Sequence, residues 1–123
     1  MMTNDIKYCL AKFVKFVKTE LDINIPFKLV ISRKRTDDLT TYAYYNPSTY
    51  LIKIYGKNRG LADILRSIAH ELVHHQQNQN GLLNKPHPDI GGDIEDSANS
   101  VAGQIVKKFG YANPKLLIYQ KFL

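Results

Sequence analysis

Two things are scarce in this chain of 123 residues: cysteine and uninterrupted apolar sequence. The single cysteine, Cys9, rules out an internal disulfide, so a packed core must hold the fold, and it suits a reducing compartment. Cys9 is itself expected in that core, on the apolar side of the first helix. No stretch approaches the roughly 18 consecutive apolar residues of a membrane span. Lys7, Lys12, Lys15 and Lys18 interrupt the apolar positions near the N-terminus, so the hydrophobic region of a signal peptide does not form there. The expectation is a cytoplasmic protein that does not enter the membrane. Acidic residues are also the minority, 11 against 17 lysines and arginines, for a net charge of +6. That balance allows attraction to nucleic acid or other anions. The lysines are dispersed, however, and the tightest cluster is Arg33-Lys34-Arg35. Solubility is the simpler account of so scattered a charge, since nucleic-acid binding calls for a clustered footprint.

What is present suits one globular domain spanning residues 1–123. Hydrophobic residues make up 44% and charged ones 23%, ordinary proportions for a soluble fold. A chain of this length buries about two-thirds of its unfolded surface and needs no covalent staple. Residues 4–21 read as an amphipathic helix, with Asn4 or Asp5 as cap and Ile6, Cys9, Leu10, Phe13, Val14 and Val17 on one face. Phe27 to Ser32 reads as a strand, and Arg33 to Thr40 as a polar loop. Thr41–Tyr45 and Tyr50–Tyr55 read as two further strands, and Asn46-Pro47-Ser48-Thr49 supplies the turn of a hairpin. The hairpin tyrosines are read as strand formers rather than as a platform for stacking bases.

The segment from Leu61 to Asn80 organises the rest. Leu61, Ile64, Leu65, Ile68, Leu72 and Val73 recur at helical spacing, and His70-Glu71-Leu72-Val73-His74 forms an H-E-x-x-H motif among them. Four residues advance about 40° past a full turn, so both imidazoles face one side and can grip one metal ion. Histidine and glutamate are costly to bury unless they coordinate or pair. Zinc favours such nitrogen ligands, and a catalytic zinc keeps three protein ligands and one open position. Glu71, on an adjoining face, is placed to act as base without ligating.

Asn80-Gly81 stops this helix. Two prolines and three glycines between residues 81 and 92 are expected to exclude regular structure there. A last long helix is expected from about Asp93, its cap, to Phe109, with Gly110 ending it. The tail from Tyr111 to Leu123 reads as a short helix or strand over an apolar patch. The third ligand must come from downstream, where His75, His87, Asp89, Asp93, Glu95 and Asp96 are the candidates. His75 points about 100° away from His74 and is read as a rim or structural residue. Gln77 and Asn80 stand where another metalloprotease class has glycine and histidine, which excludes that class. Glu95 is the best choice, in the first turn of a helix that the Gly/Pro loop can fold back beside the first. The bland reading of Glu95 is a carboxylate favouring the helix dipole. Asn99 is one turn further on, able to bond the outer nitrogen of a ligating histidine. Ala98 and Ala102 are small enough for close helix contact.

His70-Glu71-Leu72-Val73-His74 followed by Glu95-Asp96-Ser97-Ala98-Asn99 resembles the zincin metallopeptidases of the glutamate-ligand type, over roughly residues 25–109. The likeness is to the compact zincin-like proteins of bacteria and phages. It implies an α+β fold: an N-terminal helix, a small mostly antiparallel sheet with a hairpin, the H-E-x-x-H helix, and a second helix bringing the third ligand. It further implies zinc, hydrolysis of a peptide or protein substrate, ligands His70, His74 and Glu95, and Glu71 as base. An edge strand of the sheet would pair with extended substrate. Asn99 departs from the family's common aspartate, which makes the histidine's partner less anionic. The family often steadies the oxyanion with a tyrosine or histidine, for which His87, Tyr111 and the hairpin tyrosines are the candidates. The alternative is a non-catalytic zinc-stabilised binding domain, associated in one version with nucleic acid.

Overall fold

A computed structural model describes residues 4–32, 43–84 and 92–117. The chain runs α1 (Asn4–Glu20), β1 (Lys28–Ser32), β2 (Ala43–Asn46), β3 (Leu51–Tyr55), α2 (Leu61–Gln79), a 3₁₀ turn (Leu82–Asn84), α3 (Asp93–Ala112) and α4 (Pro114–Leu117). It is an α+β arrangement of helices around a small three-stranded sheet.

Apolar periodicity explains the helices. α1 buries Ile6, Cys9, Leu10, Phe13 and Val17 and leaves its lysines in water. Phe13 meets Phe109 of α3 edge to face, ring centroids 5.0 Å apart, which joins the first helix to the last long one. α2 is buried on nearly every side and sits between the sheet, α1 and α3. Ala98 and Ala102 of α3 are fully covered, so the small residues lie where the two helices approach. One contiguous cluster of buried side chains links α1, β3, α2 and α3.

The sheet is mixed, not mostly antiparallel. β2 and β3 form the expected hairpin, with Ala43 opposite Ile54 and Asn46 opposite Leu51. The Asn46 side chain closes the turn by accepting from the amides of Ser48 and Thr49, and Tyr50 adopts a positive φ of 61° at its exit. β1 lies on the other side of β3 and runs parallel to it, Lys28 to Leu51 through Ser32 to Tyr55. The strand order β1-β3-β2 makes β3 central, and its Ile52 and Ile54 are wholly buried beneath the helices. Turn chemistry dictates only the local pair; the direction of β1 depends on a crossover that strand propensity does not encode.

α1 and α2 begin and end within a residue of expectation, whereas the caps of α3 depart from it. Gly92, not Asp93, is the N-cap of α3, and no side chain caps it. Asp93, Glu95 and Asp96 instead crowd the first turn, where negative charge suits the helix dipole. Gly110 does not end α3. A glycine within a helix costs only about 1 kcal/mol, whereas a residue before proline is pushed out of helical geometry. Termination therefore falls at Asn113, ahead of Pro114, where the Asn113 amide and side chain both donate to the Phe109 carbonyl. The 3₁₀ turn gives Leu82–Asn84 regular structure inside the expected irregular loop. The tail opens as a short helix, α4. The polar loop with Arg33-Lys34-Arg35, the first residues of the expected second strand, His87 and Asp89 lie outside the described residues. Among the described residues no helix is long and apolar enough to cross a membrane.

Candidate metal centre

His70 and His74 stand one turn apart on α2, ring centroids 4.8 Å apart and nearly perpendicular, with their Nε2 atoms separated by 3.2 Å. Glu95 reaches across from the first turn of α3 and straddles them. One carboxylate oxygen lies 3.3 Å from His70 Nε2 and the other 2.9 Å from His74 Nε2. These three residues form a group, found among the described residues, whose ligand atoms all lie within 4.8 Å of one another. His74 is buried, His70 half-buried, and the Glu95 side chain 41% exposed, so the cluster opens toward solvent on the carboxylate side.

The orientation of His74 follows from its other nitrogen. Gln77, itself buried, donates its amide nitrogen to the Ile94 carbonyl at 3.1 Å and turns its oxygen to His74 Nδ1 at 2.8 Å. A carbonyl only accepts, so the NH₂ end of Gln77 must face Ile94 and the oxygen must face the ring. That oxygen also only accepts. Nδ1 therefore carries the proton, and in the neutral ring Nε2 keeps a lone pair aimed at Glu95 and His70. Because Ile94 precedes Glu95, the same side chain ties the ligand-bearing helix to α2. Asn99 of α3 lies beside the His70 ring, close enough to favour its protonated form. Burial holds the His70 imidazole below its ordinary pKa and the neighbouring His74 adds to this, against an upward pull from Glu95 and Asn99.

Glu71 is only 7% exposed. Burial first, and the Glu95 carboxylate second, push its pKa up to about 7. It borders a cavity of about 260 Å³ beside the triad, which His70, Ser67, Arg66, Asn99 and Ala43 of β2 also line. Such a carboxyl, with space for a small molecule next to a three-donor cluster, can exchange a proton with whatever occupies that space.

The other candidates fall elsewhere. His75 is 0% exposed, and its Nε2 donates to the Ile25 carbonyl at 2.7 Å. Its Nδ1 is then the acceptor for the Tyr45 hydroxyl at 2.6 Å, whose oxygen accepts in turn from Asn78 at 2.9 Å. Phe27, Tyr45 and Tyr50 surround the ring at 5.3 to 5.5 Å. His75 is structural and not on the rim. Tyr45 is thereby committed to the core side of α2. Tyr111 is 76% exposed and sixteen residues beyond Glu95, about 24 Å along the helix, too far to reach the triad. Asp93 and Asp96 are exposed.

Gln77 and Arg66 escaped the reading of the sequence as site residues. Their signal was spacing: Arg66, His70, His74 and Gln77 follow at four, four and three residues, one stripe of α2. Compared with protein-family models, with curated proteins and with solved structures, the chain matches none.

Proposed function

We propose that this chain is a zinc-dependent metalloendopeptidase of the glutamate-ligand zincin kind, hydrolysing peptide bonds in a peptide or protein substrate. The observation that carries the proposal is the meeting of His70, His74 and Glu95 beside the buried Glu71. Ligands on a tetrahedral zinc with bonds of about 2.0–2.1 Å lie roughly 3.3 Å from one another. The closest separations here, 3.2, 3.3 and 2.9 Å, are of that size. The Nδ1 proton of His74 leaves Nε2 in the ligating form.

When bound, zinc supplies a Lewis acid that polarises a carbonyl and makes a neighbouring water easier to deprotonate. Glu71 takes a proton from that attacking water as its oxygen bonds to the carbonyl carbon. The same carboxyl then gives the proton to the amine nitrogen as the carbon–nitrogen bond breaks. Gln77 keeps the His74 imidazole in place through the cycle, and Asn99 stands beside that of His70. Among the described strands β2 lies at an edge of the sheet, and its Ala43 also borders the cavity, so an extended peptide pairing with β2 would run past Glu71. A cytoplasmic site of action accords with the single, buried cysteine.

The test combines metal analysis with one substitution. Purified protein should carry close to one zinc per chain, and Glu71→Gln should keep the zinc while peptide cleavage falls by at least about 100-fold. Undiminished cleavage by that variant overturns the role of Glu71. Stoichiometric zinc with no cleavage of a peptide library would instead support the zinc-stabilised binding domain.

A further inference from the structure

The metal cluster occupies only part of the seam between α2 and α3. His74 faces Glu95, and His70 faces Glu95 and Asn99. One turn further, Arg66 of α2 lies over Gly103 of α3, where a methyl group added to the glycine would sit 3.6 Å from Arg66 Nη2. Two rungs of this ladder join polar side chains. In the third, α3 offers none, and a methyl at that position would be in ordinary van der Waals contact with the guanidinium.

Among the described residues no carboxylate pairs with Arg66. Its guanidinium borders the same cavity as His70 and Glu71, and the residue is exposed to solvent. Arg59 borders the cavity too. It donates to the carbonyls of Tyr55 and Asp63 at 2.9 and 3.0 Å and to the Ser67 hydroxyl at 2.6 Å. Among the described residues lining the cavity the acidic side chains are Asp63 and Glu71, and neither forms an ion pair with Arg66.

We propose that this cavity is a carboxylate-binding subsite with Arg66 as its cation, which, granted the peptidase reading above, makes the substrate an acidic peptide. A guanidinium offers paired donors that match the two oxygens of a carboxylate. A peptide carries that group in two places, on an Asp or Glu side chain and at its C-terminus. The seam from Glu95 to Gly103 covers eight residues, about 12 Å, so a carboxylate on Arg66 lies within a few extended residues of a carbonyl at the triad.

The experiment titrates zinc-loaded Glu71→Gln protein with four alanine-based peptides. They carry one internal Glu or Gln, and end in a free or amidated C-terminus. At least one carboxylate should strengthen binding about tenfold, and Arg66→Gln in the same background should abolish that advantage while Arg66→Lys keeps part of it. A Glu-over-Gln preference identifies the side chain as source; an acid-over-amide preference identifies the C-terminus. Equal binding of all four peptides, no binding of any, or an advantage that survives Arg66→Gln overturns the subsite. If wild-type protein cleaves none of these peptides while Arg66-dependent binding persists, hydrolysis falls and the subsite stands. Cleavage by wild type that is indifferent to carboxylates overturns the subsite and leaves hydrolysis standing.

Discussion

His74 and His75 are neighbours in sequence and opposites in chemistry. Both rings are buried and both have an Nδ1 partner, Gln77 for one and Tyr45 for the other. They differ in what Nε2 meets. His75 turns it to the Ile25 carbonyl, which closes a chain from Asn78 through Tyr45 in which every ring nitrogen is matched. His74 turns it to a second histidine and a carboxylate, a cluster with no such closure until a cation or proton joins it. One residue of helical rotation, about 100°, separates a histidine that ties the sheet side together from one that presents a lone pair. Burial alone therefore does not mark a functional histidine; the partner of its second nitrogen does.

The sharpest way to break the comparison is to remove each ring. His74→Ala should lower zinc affinity by well over about 100-fold, more than the loss of an outer-shell partner costs, and should leave the thermal midpoint of metal-free protein nearly unchanged. His75→Ala should do the reverse. It strips two hydrogen bonds and the centre of an aromatic cage, and should destabilise the fold by about 2–4 kcal/mol. Zinc binding by the folded fraction should be retained. Equilibrium unfolding and metal titration on both variants check the contrast.

Glu71 supplies the next largest effect, in stability instead of affinity. Its carboxyl is raised from 4.5 to about 7 in the fold, so folding favours the protonated form. The stability this contributes is present at low pH and is lost as pH rises through about 7, a difference of roughly 3 kcal/mol at most. Metal-free Glu71→Gln, which resembles the neutral acid, should match wild type near about pH 4 and exceed it near about pH 8. The lowered His70 pKa acts with the opposite sign and is common to both proteins, so it cancels from their difference. Denaturation midpoints at the two pH values decide it, and a Gln variant no more stable at the higher pH would count against a buried, strained carboxyl.

Gln77 should give the smallest effect. Gln77→Ala leaves all three donors in place but frees the His74 ring and cuts the tie to Ile94, so zinc affinity should fall by about 10–100-fold. An unchanged affinity in metal titration would mean that packing, not this amide, aims the ring.

These residues also show where the sequence was legible. The helices were, because apolar spacing is local and repeats over many turns, and so were the ends of α1 and α2; the C-terminus of α3 was not, because Asn113 before Pro114 outweighs Gly110. The hairpin followed from Asn46 to Thr49, whereas the parallel placement of β1 depends on a pairing between distant segments. His70 and His74 converge by helix geometry alone. Glu95 joins them because α3 packs along α2 and brings its first turn to the two imidazoles. The Gln77 link was hidden, since a backbone carbonyl such as that of Ile94 accepts a bond without leaving any trace in residue identity. Arg66 over Gly103 was hidden for a related reason: the informative partner is a missing side chain.

X-ray absorption at the zinc edge of stoichiometrically loaded protein tests the central claim most directly. Wild type should show two imidazole nitrogens and carboxylate oxygen at about 2.0–2.2 Å, and Glu95→Ala should lose the carboxylate contribution while both imidazoles remain. Failure to take up zinc, or a shell that the Glu95 change leaves untouched, would contradict it.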